Sequence, residues 1–136
     1  MNGKKVFIDS NIFLNLFGAD KKKKTFASSL PNQTHLISTQ VVTENINVCL
    51  KKLKLSKTEA FSHGQYLMDN FLLVQITRNT IENAFDLSNK YGFGYWDSLI
   101  LASALENGCD TLLSEDMQHG QIIEKTLKVV NPFSNL

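Results

Sequence analysis

Short apolar runs alternate with longer segments of helical periodicity along the whole chain. The consecutive apolar residues 6–8, within the segment 4–9, predict a first strand that is covered on both faces. Further strands are predicted at residues 35–38, 72–76, 111–113 and 128–130. Helices are predicted between them, at residues 11–17, 21–30, 39–53, 56–68, 80–91 and 96–107. This alternation predicts an α/β fold with a short parallel sheet of about five strands flanked by helices.

Local signals define several helix ends. Ser56 and Glu59 have the spacing of a capping box, and Thr39 is a candidate cap for the helix that follows the second strand. Gly92 is placed to end a helix in the left-handed conformation. The helix at residues 96–107 is apolar nearly all round, so we expect it to be buried.

The length and composition of the chain indicate one domain. With 136 residues, 43% of them hydrophobic, we expect residues 1–136 to form a single domain around one core. Cys49 and Cys109 lie in apolar runs and are expected to be free and buried in a reducing compartment. No segment resembles a signal peptide or provides the roughly 20 apolar residues of a membrane span, so we expect a cytoplasmic protein that makes no membrane contact.

Charge is distributed unevenly, although the formal net charge is only +1. Residues 1–60 contain ten lysines and four acidic residues, whereas residues 61–136 contain four basic and nine acidic residues. The densest cationic run consists of Lys21, Lys22, Lys23 and Lys24. This run could hold phosphate groups beside an acidic centre, or it could be a solvated lysine surface.

Four carboxylates occupy positions where an α/β protein places a strand end or the start of a helix. They are Asp9, Glu44, Asp97 and Asp116. Each is embedded in apolar sequence with no lysine or arginine beside it, and an unpaired carboxylate is costly in such surroundings. Ligands of parallel α/β sheets bind outside the carboxyl ends of the strands, so we expect the four acids to meet at one edge. Their mutual repulsion would be relieved by Mg²⁺ or Mn²⁺, which indicates a metal-dependent phosphodiesterase.

Each acid also has an ordinary structural explanation when it is taken alone. Asp9 could cap a helix, Asp97 could offset a helix dipole and Asp116 could lie in a loop. The joint pattern is more specific than any one of these positions. The three histidines have no neighbours in the sequence that suggest an acid–base pair, so a nuclease mechanism built on histidine is disfavoured.

Four motifs in order resemble the PIN-domain family. They are Phe-Ile-Asp-Ser-Asn at 7–11, Ser-Thr-Gln-Val-Val-Thr-Glu at 38–44, Tyr-Trp-Asp-Ser-Leu-Ile-Leu-Ala-Ser-Ala at 95–104 and Leu-Leu-Ser-Glu-Asp-Met-Gln-His-Gly at 112–120. The ending Val-Asn-Pro-Phe at 130–133 is also similar to that family. The resemblance extends from end to end and is greatest to the short, single-domain ribonuclease toxins of VapC type.

The resemblance implies that the four acids form the catalytic metal site, with the Ser114 hydroxyl close to it. It also implies RNA cleavage by metal-activated water, homodimerisation and inhibition by a cognate antitoxin protein. We assign substrate binding to Asn11, Ser114 and the four lysines. Glu115 departs from the family pattern by offering an extra acid beside Asp116.

Two other functions remain open at this point. One is a housekeeping PIN nuclease in RNA processing or DNA repair, and the other is a PIN binding module without catalysis. Tyr95 and Trp96 precede Asp97 and could stack on a base, although for Trp96 a position in the core is the favoured interpretation.

Overall fold

Six short strands form one sheet in the computed structural model, which describes residues 4–134. Residues 1–3 and 135–136 of the expected domain lie outside the described residues. The strands are β1 (Val6–Ile8), β2 (Leu36–Ser38), β3 (Leu72–Val74), β4 (Thr111–Leu113), β5 (Ile122–Ile123) and β6 (Leu127–Val130). Their spatial order is β3–β2–β1–β4–β6–β5, and only the pair β5–β6 is antiparallel.

Six α-helices connect and cover these strands, which confirms the predicted α/β class. They are α1 (Ser10–Leu14), α2 (Lys21–Ser28), α3 (Thr39–Lys51), α4 (Lys57–Asn70), α5 (Arg78–Tyr91) and α6 (Tyr95–Glu106). A short 3₁₀ helix at Asn15–Phe17 continues α1. No helix among residues 4–134 is long and apolar enough to span a membrane.

The order in which the chain adds strands to the sheet reverses at β1 and β4, although these two strands are parallel. The chain moves outward from β1 through β2 to β3, and then returns to β4 on the other side of β1. Ile8 pairs with Leu113 at the ends of these two strands, and the backbone N–H of Asp9 donates to the Leu113 carbonyl at 2.9 Å. Such a reversal point at the carboxyl ends of parallel strands is where α/β folds form ligand sites.

The core follows the predicted pattern closely. All three residues of β1 are buried, as a strand covered on both faces requires. In α6 every residue from position 98 to 104 is buried, so the helix that looked apolar nearly all round does pass through the core. The capping box of Ser56 and Glu59 is present, and Gly92 follows α5 with a φ of +80°.

Three local predictions were wrong for identifiable reasons. The sheet has a sixth strand, β5, which has only two residues and precedes a turn formed by Glu124 and Lys125, so no glycine marks its end in the sequence. Ser38, not Thr39, is the N-cap residue of α3, because the Thr39 hydroxyl accepts the backbone N–H of Ile76 instead. Helix α5 begins two residues earlier than predicted, where Thr77 caps it.

Candidate active site

A cleft of about 200 Å³ lies beside the ends of β1 and β4, and we call it the acidic cleft. All four predicted acids line it: Asp9 at the end of β1, Glu44 on α3, Asp97 in the first turn of α6 and Asp116 after β4. The fold therefore brings together side chains that are up to 107 positions apart in the sequence, from 9 to 116. Among residues 4–134, none of these four carboxylates forms an ion pair.

Asp9 is the most deeply placed acid of the cleft, with only 5% of its surface exposed. It is the N-cap residue of α1, where Oδ1 accepts the backbone N–H of Ser10 at 2.7 Å. Oδ2 accepts the Ser114 hydroxyl at 2.8 Å and the Asn11 amide at 3.3 Å. Burial nevertheless dominates and, with smaller contributions from Glu44 and Asp97, raises the pKa of Asp9 to about 7.

Asn11 and Ser114, which we assigned to substrate binding, are both engaged within the protein. The Ser114 hydroxyl, which donates to Asp9, also accepts the backbone N–H of Asp116 at 3.3 Å. The Asn11 amide oxygen accepts the backbone N–H of Glu115 at 3.1 Å. These contacts connect α1 to the loop after β4, so the two side chains orient the acids around the cleft.

Glu44 is held by a neighbouring helix. The Ser10 hydroxyl of α1 donates to its Oε1 atom at 2.5 Å. Behind this contact, the buried amide of Asn45 donates to the Ser10 carbonyl at 3.3 Å, and its Oδ1 lies 2.9 Å from His63 Nε2. This buried polar chain could not be recognised from the sequence alone, because Ser10, Asn45 and His63 come from three separate helices.

Asp97 and Asp116 form the more open side of the cleft. Asp97 is half-buried, and burial is the largest cause of its raised pKa, followed by the charges of Asp116 and Glu44. Asp116 is exposed. The two carboxylates therefore repel each other at the mouth of the cleft, and neither forms an ion pair in the part of the chain that the structure describes.

Glu115 does not line the acidic cleft, although it is adjacent to Asp116. Its Oε1 atom accepts the Asn15 amide at 2.6 Å, and its Oε2 atom lies 3.0 Å from Lys23 Nζ. The extra acid in this motif is thus committed to contacts with α2 and the 3₁₀ helix, and Asp116 is the acid that faces the cleft.

The four lysines of α2 are not equivalent. Lys21, Lys22 and Lys24 are exposed, whereas Lys23 is partly buried in its ion pair with Glu115 and lies over the Phe133 ring. The exposed lysines remain available to a polyanion on the flank of the cleft. Only three of the four lysines are therefore available for the expected cationic surface.

Trp96 lies at the surface, so the favoured expectation of a core position was wrong. Its side chain is 63% exposed and lines the acidic cleft next to Asp97. The apolar character of α6 belongs to residues 98–104, whereas Trp96 occupies the first turn, where the helix emerges from the core.

All three histidines make contacts outside the cleft lining. His35 Nδ1 lies 3.0 Å from the Leu30 carbonyl, and His119 Nδ1 accepts the backbone N–H of Asn131 at 3.0 Å. His63 contacts Asn45, and burial lowers its pKa. None of the three is among the residues that line the acidic cleft, and the assignment of the chemistry to acidic residues stays a prediction.

The donor set of the cleft suits a hard divalent cation. Its four carboxylates offer oxygen ligands only, which favour Mg²⁺ or Mn²⁺ over softer metals. As the side chains stand in residues 4–134, however, no three acidic, histidine or cysteine side chains are grouped closely enough to hold a metal ion. A cation would have to draw the more exposed acids inward, because Asp9 is fixed by hydrogen bonds.

A family comparison identifies this architecture. The family model described as PIN domain matches residues 6–124, a span that includes all four acids. The chain belongs to the PIN-domain family. No individual characterised protein sequence matches the chain significantly.

Solved PIN structures share the fold at low sequence identity. A toxin–antitoxin complex from Klebsiella pneumoniae is 21% identical, with a TM-score of 0.70, and the match covers 94% of this chain and 98% of that one. VapC20 of Mycobacterium tuberculosis, a toxin that cleaves the sarcin–ricin loop, is 13% identical with a TM-score of 0.66, covering 82% and 89%. DNA-bound VapBC from Salmonella typhimurium is 12% identical with a TM-score of 0.69, covering 93% and 96%.

Asp97→Asn should stabilise the metal-free protein, because it removes a charge that is disfavoured by burial and by repulsion from Asp116 and Glu44. The raised pKa means that ionised Asp97 destabilises the fold above the unfolded-state value of 3.8. We expect the melting temperature in EDTA at pH 8 to rise by about 1–4 °C, and the gain to disappear toward pH 4.

Asp86→Asn is the matched control, since Asp86 is an exposed acid on α5 that does not line the acidic cleft. Its melting temperature should follow that of the parent protein at both pH values. If Asp97→Asn melts at or below the parent temperature at pH 8, charge repulsion at the cleft mouth is too weak to affect folding.

Proposed function

We propose that this PIN protein is a metal-dependent endoribonuclease and the toxin of a type II toxin–antitoxin system, with residues 1–136 acting as one cytoplasmic nuclease domain. The observation that carries the proposal is the acidic cleft, in which four carboxylates that form no ion pair with any described residue line one small space. The fold-level likeness to toxin–antitoxin PIN proteins supports the same conclusion.

Asp9, Glu44, Asp97 and Asp116 are the residues that would hold Mg²⁺ or Mn²⁺. When bound, the cation supplies positive charge that activates water and offsets the charge developing at phosphorus. Ser114 and Asn11 keep the Asp9 carboxylate oriented, and Ser10 does the same for Glu44. The exposed lysines of α2 hold the RNA backbone beside the cleft by contacting phosphates.

A cognate antitoxin is the partner that best fits an acidic cleft whose carboxylates find no ion-pair partner within residues 4–134. We propose that an apolar helix of the antitoxin lies against the rim and brings an arginine to Asp9 or Asp97. The planar guanidinium can bind a carboxylate through two hydrogen bonds and can replace the charge of the metal. The structures of toxin–antitoxin complexes that share this fold support such a partner. The protein itself is proposed to be a homodimer.

RNA cleavage should require a divalent cation and the cleft acids. We expect excess EDTA to abolish cleavage of single-stranded RNA, and Mg²⁺ or Mn²⁺ to restore it. Asp97→Asn should lower the rate constant by at least about 100-fold, since it removes one ligand of the charged centre. Product analysis by gel electrophoresis measures both effects, and circular dichroism verifies that the variant is folded.

Asp86→Asn again serves as control and should cleave at the parental rate. Full cleavage in excess EDTA would exclude the metal mechanism. An unchanged rate in Asp97→Asn would show that Asp97 is not part of the active site. The result with EDTA alone would then decide whether cleavage requires a metal.

Substitution of Lys21, Lys22 and Lys24 by alanine should weaken RNA binding and reduce its dependence on salt. Each lost phosphate contact lowers the slope of log affinity against log salt by about 0.7 for single strands, so three contacts give up to about 2. Cleavage at saturating RNA should change little, because these lysines position the substrate. Binding isotherms at several salt concentrations measure the slope.

Lys51, Lys52 and Lys57 provide a control triple of exposed lysines at the junction of α3 and α4. Their replacement by alanine should leave the slope closer to the parental value. Equal slopes in the two triple variants would mean that α2 is an ordinary solvated lysine surface.

Binding of the antitoxin should protect the rim of the acidic cleft. We expect the protein encoded by the neighbouring small gene to co-purify with this chain and to slow amide hydrogen exchange around positions 9, 44, 97 and 116. An arginine-to-alanine series in the antitoxin should identify one residue whose loss restores cleavage. Protection confined to surfaces remote from these four positions would show that inhibition occurs by another route.

A further inference from the structure

Trp96 joins the acidic cleft to a second open space. It is the only tryptophan of the chain, and its exposed indole precedes Asp97 on the first turn of α6. The second space, here called the Trp96 groove, has a volume of about 540 Å³, within the range of about 300–1,000 Å³ that is usual for ligand pockets. It shares Gln40, Glu44 and Trp96 with the acidic cleft.

The lining of the Trp96 groove combines apolar and neutral polar side chains. It consists of Thr39, Gln40, Thr43, Glu44, Asn47, Ile76, Trp96 and Leu99. Glu44 is the only charged residue among them, and its negative charge disfavours a phosphate group. The groove therefore suits the uncharged, flat part of a nucleotide, whereas the acidic cleft would accept its phosphate only when a divalent cation offsets the four carboxylates.

Gln40 provides a second and independent indication of a ligand. Its side chain is only 5% exposed and lies where the cleft and the groove meet. Its Nε2 atom donates to the Trp96 carbonyl at 3.1 Å, which fixes the amide against α6. Its Oε1 atom has no hydrogen-bond partner among the described residues, and a buried acceptor in that state is costly. A donor on a bound base edge would satisfy it.

We propose that the Trp96 groove binds one unstacked nucleobase of the RNA strand, next to the phosphodiester held at the acidic cleft. The inference rests on the proposed ribonuclease function and names the substrate feature that this function recognises. Trp96 is the stacking platform, and an aromatic ring in this role accepts any base because every base has a π face. The protein would thereby require a single-stranded or looped segment, since a base inside a duplex cannot reach the indole.

Fluorescence of the single tryptophan tests this directly. The Asp116→Asn variant in Mg²⁺ is titrated with single-stranded RNA octamers and with ribose-phosphate octamers that lack bases. Asp116 lines the acidic cleft but not the Trp96 groove, so the substitution slows cleavage and changes no residue of the groove lining. We expect saturable quenching by RNA and little quenching by the abasic strand.

Binding and kinetics of Trp96 variants provide the second readout. Trp96→Ala should weaken RNA binding about 5- to 150-fold, as loss of one base–aromatic stack implies. It should raise KM more than it lowers kcat, and Trp96→Tyr should recover most of the loss. Phe61→Ala removes an equally exposed aromatic ring from α4 and should stay within about twofold of the parent.

The outcomes separate this inference from the function on which it rests. RNA binding and cleavage without quenching, or equal quenching by the abasic strand, would overturn the base site and leave the ribonuclease intact. Base-dependent quenching in a protein that never cleaves RNA would support the base site and refute the proposed function. A change of Trp96 emission with protein concentration alone, and none with RNA, would reassign the groove to contact between two copies and overturn the inference.

Discussion

The parallel pairing of β1 with β4 is the interaction on which the acidic cleft depends. Its register sets Ile8 opposite Leu113, and the next residue of each strand, Asp9 and Ser114, then meets across the reversal point of the sheet. A slip of one residue would turn alternate side chains to the other face and separate this pair. Such a slip would also require the buried side chains of Val6, Phe7 and Ile8 to repack in the core.

Asp9 shows how much stability the fold gives up at this point. Its hydrogen bonds to Ser10, Ser114 and Asn11 favour the ionised carboxylate, yet burial still raises the pKa from 3.8 to about 7. That shift corresponds to a destabilisation on the order of 4 kcal/mol when the group is ionised. The cost grows as the pH rises from the unfolded-state value toward 7 and is constant above it. A bound cation or a partner's guanidinium would remove it, which couples ligand binding to stability.

The parts of the fold that could be predicted from sequence are those with strong local signals. The buried strand at residues 6–8, the capping box of Ser56 and the apolar helix α6 were all evident from residue pattern, and the four acids were recognisable by their position at element ends. What could not be predicted depends on contacts between distant segments. One example is the hydrogen bond from the Ile76 backbone N–H to the Thr39 hydroxyl, and another is the ion pair between Glu115 and Lys23. The predicted core position of Trp96 was wrong because hydrophobic periodicity describes a helix as a whole. It does not show at which residue the helix leaves the core.

The ion pair of Lys23 with Glu115 fixes the position of α2, which carries the exposed lysines, relative to the acidic cleft. Glu115 belongs to the same loop as Asp116, and its backbone N–H is held by Asn11, the neighbour of the Asp9 cap. Lys23 therefore holds α2 against the loop that carries one of the four acids. The three exposed lysines lie on this same helix. The exposed Trp96 lies on α6, at a different part of the cleft wall. Under the proposed function, the lysines of α2 would position the backbone of an RNA strand and Trp96 would contact one of its bases, next to the four carboxylates of the acidic cleft.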